Sequence, residues 1–329
     1  MPTAETWMER HQVPLYLAAL AAGAGVGLLA PGLAGELEPA ITPVLVALMY
    51  LTFLGVPFGA IATAVRDWRF LLTAVVVNFV VVPVVVFALT RFVADQQAVL
   101  VGVLFVLLCP CVDYVIVFTG LAGGAKERLL AATPVLMLGQ MLLLPAYLWL
   151  FLGADLGAEV DWAPFVAAFA LIILLPLVLA GLTQRAAVRL RWAAAAEQGG
   201  SAAMVPVLML TLGVVVASQI GGVSAQLGVL LLPALLYMAF AALMVPIGLV
   251  AGRVARLDVP GRRAIVFTGA TRNSLVVLPL VLVLPDGFEL TSLVVVTQTL
   301  VELVAMVVFV RFVPHLVDRV PTEPPAKPA

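Results

Sequence analysis

The chain has 329 residues, 64% of them hydrophobic and 11% charged, with a mean hydropathy of +1.19. Soluble domains carry about 25% charged residues, so this composition excludes a water-soluble globular protein and leaves an integral membrane protein. The net charge of -1 offers no basic surface for nucleic acid.

Residues 1–12 mix Glu5, Glu9 and Arg10 and read as a short cytoplasmic N-terminus rather than a signal peptide. Charged and Gly/Pro-rich breaks then define ten spans, near 13–30, 39–62, 70–92, 97–122, 129–153, 162–184, 203–220, 227–251, 261–284 and 291–313. Each approaches the roughly 20 residues an α-helix needs to cross hydrocarbon, where an unpaired backbone is not tolerated. Trp68, Trp149 and Trp162 sit near span ends as interface anchors, and His11 and His315 lie at the membrane edges. Residues 316–329 are Pro-rich and read as a disordered cytoplasmic tail.

Loop charge supports the count. One set of loops carries Arg66 and Arg69, Lys126 and Arg128, Arg185, Arg189 and Arg191, and Arg253, Arg256, Arg262 and Arg263. The alternate loops are acidic or uncharged, with Arg91 as their exception. The positive-inside rule then puts both termini in the cytoplasm. The halves also echo one another: Leu48-Met49-Tyr50-Leu51-Thr52 against Leu208-Met209-Leu210-Thr211, and Val81-Val82-Pro83 against Met244-Val245-Pro246. Five spans per half is odd, so 13–153 and 154–315 are expected as inverted repeats. The fold class is therefore an all-α membrane protein with ten transmembrane helices.

Spans four and nine are interrupted by polar residues at matching places. The first reads Leu107-Leu108-Cys109-Pro110-Cys111-Val112-Asp113-Tyr114 and the second Phe267-Thr268-Gly269-Ala270-Thr271-Arg272-Asn273-Ser274. Interrupted segments in corresponding positions of two halves point to a transporter's midplane site. A charge in hydrocarbon costs at least roughly 2.5 kcal/mol, so Asp113 and Arg272 are expected to pair or to face a cavity. Such a pair either locks two crossing helices or handles substrate. Pro110 disfavours helix at Cys109, which frees carbonyls on one side of the gap and N–H groups on the other.

Cys109 and Cys111 are too close for an ordinary disulfide loop. They act either as small buried hydrophobes or as thiolates for a soft, thiophilic ion, and two thiols alone make no zinc site. Glu302, mid-span ten, is costly to keep charged in hydrocarbon, which suits a proton carrier or a carboxylate bonded to a neighbouring helix. Gln140 occupies a comparable place in span five. Asn78 is expected to cap backbone freed by Pro83 or to line the site, beside Asn273 at the second break.

Nucleotide-binding loops, zincin His pairs and Ser/His/Asp sets are all missing, so no enzyme activity and no cofactor is expected. A secondary carrier of a small inorganic or anionic substrate, embedded in lipid, remains; a separate ATPase subunit is left open.

These features resemble the bile acid/sodium symporter superfamily, and within it the arsenite efflux permeases of the arsenical-resistance type. Cys109-Pro110-Cys111-Val112 is similar to the permeases' Ala-Pro-Cys-Thr motif, which puts their essential cysteine on Cys111. Leu300-Val301-Glu302-Leu303 resembles their Leu-Val-Glu-Val-Pro stretch, which puts their essential glutamate on Glu302. Asn78 and Pro83 match an Asn–Pro pair in their third span. Val115-Ile116 and Thr268 stand where sodium-coupled members carry ligand oxygens, so the resemblance does not imply sodium coupling. Arg272 and Asp113 lie outside either pattern. The resemblance implies export of arsenite, and of antimonite by the same chemistry, by exchange with protons. Cys111 would be the transient metalloid ligand, joined by Cys109, and Glu302 the proton carrier. The alternative is an organic-anion carrier with degenerate sodium sites, in which Arg272 neutralises a carboxylate.

Overall fold

A computed structural model describes residues 8, 11–56, 65–112, 114–159, 167, 170–282, 284 and 287–317. Among these residues the chain is helical, and the one strand-like feature is an isolated antiparallel bridge between Pro110 and Arg272. Asp113 and the tail from 318 lie outside the described residues.

Helices α1 (Gln12–Leu29) and α2 (Ala34–Gly55) are joined by a 3-10 turn at Pro31–Leu33. α3 (Trp68–Val76) continues through a π-helical turn, Val77–Val81, into α4 (Val82–Thr90). α5 (Gln97–Leu107) and α6 (Tyr114–Leu121) flank the first break, and α7 (Lys126–Glu159) follows. A second π turn, Ala170–Leu174, leads into α8 (Leu175–Ala187). After α9 (Arg191–Ala225) and α10 (Leu227–Val254), α11 (Val259–Ala270) and α12 (Ser274–Val281) flank the second break. α13 is Glu289–Val317.

Among the described residues, seven segments are long and apolar enough to cross a membrane: Pro31–Gly55, Trp68–Val93, Lys126–Leu152, Ala170–Ala187, Ala202–Ala225, Leu227–Val254 and Glu289–Val317. Pro14–Leu29 and Gln97–Leu107 are apolar but shorter. The halves α5/α6 and α11/α12 reach span length only when each pair is taken together. Several boundaries differ from the sequence reading by a few residues, as at Ala34 and Glu159, and one by more: helix begins at Arg191, well ahead of the expected 203. The run Ala193–Ala196 explains it, since alanine is the best helix former and nothing there breaks the turn.

Both π turns end two residues before a proline, Pro83 and Pro176. Proline removes an N–H and its ring crowds the carbonyl four residues back, and a wider turn relieves that clash. In the first case the carbonyl four back belongs to Phe79, and the Tyr147 hydroxyl donates to it. Tyr147, rather than Asn78, therefore caps the backbone that Pro83 frees.

The helices pack in two groups. α1, α2, α8 and α9 contact one another, while α3 to α7 and α10 to α13 form the other group. Within the first, α1 and α9 approach at backbone distance. A Cβ on Gly27 would fall 2.4 Å from the Ala217 carbonyl oxygen, and one on Gly23 would fall 2.6 Å from that of Gly213. Small residues spaced by four let membrane helices close up in this way.

Three of the basic connections meet at one end. Arg128 holds Asp258 with both terminal nitrogens, at 2.6 and 3.1 Å, and its Nε lies 3.1 Å from Asp67. Asp258 also caps α11 by accepting from Gly261 N–H at 3.2 Å. Gln184, one residue before Arg185, donates to the Leu54 and Val56 carbonyls at 2.8 and 2.9 Å, tying the end of α8 to the end of α2. At the start of α5, the Ala98 carbonyl accepts from Thr291 Oγ1 of α13 at 2.9 Å.

Candidate functional site

The two breaks cross each other. Residues 109–111 and 271–273 leave the helical conformation, with Thr271 extended at φ -99 and ψ 141. Asn273 N–H donates to the Cys109 carbonyl at 2.8 Å, and Cys111 N–H to the Thr271 carbonyl at 3.4 Å. Unwound backbone inside a membrane must find partners, and here each break supplies them for the other. Asn273 also caps α12, its Oδ1 accepting from Val276 N–H at 3.2 Å, and Ser274 pairs with Thr299 of α13 at 2.7 Å.

Arg272 is fully buried at this crossing. Its Nη2 lies 2.8 Å from Asn78 Oδ1, 2.7 Å from the Thr268 carbonyl and 2.7 Å from that of Gly269. Nη1 lies 3.5 Å from the Leu107 carbonyl, and the guanidinium carbon stands 5.4 Å from the Phe240 ring centre. Asn78 is held in turn, its Nδ2 donating to the Ala74 carbonyl at 2.9 Å and to Thr268 Oγ1 at 3.2 Å. It therefore faces the crossing from inside the first π turn. Asp113, the expected partner of Arg272, lies outside the described residues.

Glu302 joins the crossing through main chain. Its Oε2 accepts from the Arg272 backbone N–H at 2.8 Å and from the Gln298 amide, one helical turn earlier on α13. Its Oε1 accepts from the Tyr114 hydroxyl at 2.8 Å, which also donates toward the Arg272 carbonyl at 3.2 Å. Three donors around a buried carboxylate supply the hydrogen bonds that water would otherwise give. Gln298 Oε1 is buried without a hydrogen-bond partner.

A cavity of about 350 Å³ separates the two helix groups beside the first break. Tyr16, Leu51, Thr52, Val56, Met204, Val205 and Leu208 line it from one side, and Val112, Tyr114, Ile116, Val117, Leu130 and Thr133 from the other. Its lining is mostly apolar. The Thr52 hydroxyl is buried there with no hydrogen-bond partner. Cys111 is fully buried next to Val112, and Cys109 is also fully buried; neither is in a disulfide. Tyr114 thus lines the cavity while its hydroxyl holds Glu302.

The structure brings Cys109, Cys111, Arg272, Asn273, Asn78 and Glu302 into one connected cluster. Gln140 is buried with an unpartnered Oε1 and makes none of these contacts. Thr268 and, beyond the residues the sequence points to, Tyr114, Gln298 and Phe240 complete the cluster. A signal existed for two of them: Gln298 stands four residues before Glu302, and Tyr114 closes the first broken segment. Among the described residues no group of three or more His, Cys, Asp or Glu is placed to hold a metal ion.

No curated protein matches the chain. The family model for the Sodium Bile acid symporter family matches residues 42–226, which is more than half of the chain and includes the first break. The apolar helices and this match agree, and the chain belongs to the Sodium Bile acid symporter family, as a multi-pass membrane transporter.

Proposed function

We propose that the chain is a ten-span secondary transporter of the cell membrane that exports arsenite, and antimonite by the same chemistry, in exchange for protons. The spans are α1, α2, α3 with α4, the α5/α6 pair, α7, α8, α9, α10, the α11/α12 pair and α13. They form two inverted repeats of five, with both termini cytoplasmic and the basic connections on that side.

The observation that carries the reading is the position of Cys111. Its main chain is held against Thr271 at the crossing, and its neighbours Val112 and Tyr114 line the cavity between the helix groups. Trivalent arsenic is thiophilic. The Cys111 sulfur displaces one hydroxide from the neutral metalloid hydroxide, forming an As–S bond and releasing water with the thiol proton; the reverse step releases the cargo outside. Cys109 serves as a second ligand. In the described conformation both thiols are shut away, so loading requires the helix groups to move apart around the site. Glu302 takes up a proton when the cycle returns. Its link to the cavity through Tyr114 lets loading bias the carboxylate.

The test is growth of an arsenite-sensitive host expressing the wild type or Cys111→Ser at equal membrane levels. Protection by the wild type and its loss in the variant support the reading. Equal protection by both removes the thiol mechanism.

The apolar lining of the cavity favours a second reading, an organic-anion carrier. The Arg272 guanidinium is already surrounded by oxygens, so a carboxylate would meet Thr52, Thr133 and Tyr114 instead. Stabilisation of the purified protein by an amphipathic carboxylate, with none by arsenite, would select this reading.

A further inference from the structure

The half-helices α5 and α11 both end at the crossing, so the carbonyl ends of two helix dipoles converge there. Each such end carries about half a negative elementary charge. In transporters with broken helices, these ends and the unwound carbonyls hold the coupling cation. Here that position is filled by the protein itself. Leu107 O comes from the end of α5, Thr268 O and Gly269 O from the last turn of α11, and Asn78 Oδ1 from the π turn beside them. The Arg272 guanidinium lies among all four. One amino group, with two hydrogens, faces three oxygens within 2.8 Å. That geometry is closer to the solvation of an ion than to a set of directional hydrogen bonds. The ring face of Phe240 closes the cage on another side.

We infer that Arg272 is a tethered cation: its guanidinium occupies the oxygen cage that a free monovalent cation would otherwise enter, so this chain neither binds nor requires sodium at the crossing. A mobile cation needs the same four oxygens, and two positive charges do not share one buried cage. Removing the side chain leaves the cage open for sodium or for free guanidinium ion. The inference rests on the reading of the crossing as a transport site and is independent of the cargo.

The experiment is thermal unfolding of the purified protein in detergent, at constant ionic strength, with choline, sodium or millimolar guanidinium as chloride salts. The wild type should unfold at the same temperature in all three. Arg272→Ala should unfold earlier in choline and regain several degrees, saturably, with sodium or guanidinium. Saturable stabilisation of the wild type by sodium overturns the inference, as does an alanine variant that responds to neither cation. Should Arg272→Ala fail to accumulate, Arg272→Lys keeps a tethered charge and should remain indifferent to sodium; a sodium response there counts against the inference. Because no cargo is present, failure of the arsenite reading leaves these outcomes untouched. A chain that exports arsenite but fails these arms loses only the tethered cation.

Discussion

Glu302 offers the sharpest separation of structure from coupling. In Glu302→Ala, two buried donors lose their acceptor, the Arg272 backbone N–H and the Gln298 amide. Tyr114 keeps the Arg272 carbonyl as a partner. An unsatisfied buried donor costs about 1–3 kcal/mol, so the two together give about 2–6 kcal/mol of destabilisation before any cavity term. In Glu302→Gln, the introduced amide oxygen can take the Arg272 N–H, and its NH2 can donate to the Tyr114 oxygen. The same oxygen, standing in for Oε2, keeps the Gln298 amide as its second donor. That substitution should cost less than about 1.5 kcal/mol, the size of one net hydrogen bond. Unfolding in detergent by heat or denaturant should therefore rank wild type and Glu302→Gln close together, with Glu302→Ala well below. Transport should rank differently: both variants lose proton-driven flux. Equal stability of all three would refute the claim that this carboxylate organises the crossing. Equal loss in both variants would show that the charge itself, rather than the acceptor geometry, holds it together.

Other expectations follow from single contacts. Gly27→Val drives a side chain into the Ala217 carbonyl and should destabilise by about 1–3 kcal/mol through overpacking, whereas Gly25→Ala, whose Cβ meets open space, should be neutral or slightly stabilising in the same unfolding assay. Tyr114→Phe removes one donor from Glu302 and should cost about 1–3 kcal/mol while weakening the link between cargo and proton, read as a reduced pH dependence of flux. Asp258→Ala loses the α11 cap and the bidentate Arg128 pair and should cost about 1–2 kcal/mol; Asp67→Ala loses a longer α3 cap, Phe70 N–H at 3.4 Å, and one exposed contact to Arg128, and should cost about 1 kcal/mol, with the ion-pair share shrinking in high salt. A membrane-permeant maleimide should label Cys109 and Cys111 far more slowly than a cysteine introduced at the exposed Leu29.

The place of the site was legible because its breaks are local. Pro110 ends a helix through its own ring, and Gly269 with the polar run to Ser274 marks the second interruption. Of the basic connections that the sequence pattern marks out, Arg128 holds three together. What sequence did not show is how Arg272 is used. Its cage is built from main-chain carbonyls of α5 and α11, which no side-chain pattern reports, and from an asparagine nearly two hundred residues away in sequence. The partner expected for it, Asp113, an opposite charge at the matching break, lies outside the described residues. For Asn78 the sequence leaves two roles open, capping the backbone freed by Pro83 or lining the site. In the fold Tyr147 answers the proline, and that releases Asn78 to face the crossing. Tyr114 escapes sequence reading because its two roles, beside a cavity and on a carboxylate, become visible only when α13 is laid across the break.

The most direct test of the account is arsenite uptake by everted membrane vesicles, whose cytoplasmic face points outward, with the interior made acidic. The account predicts uptake that collapses with a protonophore, that is the same in sodium and in choline, and that is lost in both Cys111→Ser and Glu302→Gln. Undiminished uptake by Cys111→Ser, or no gradient-driven uptake by the wild type, would contradict it.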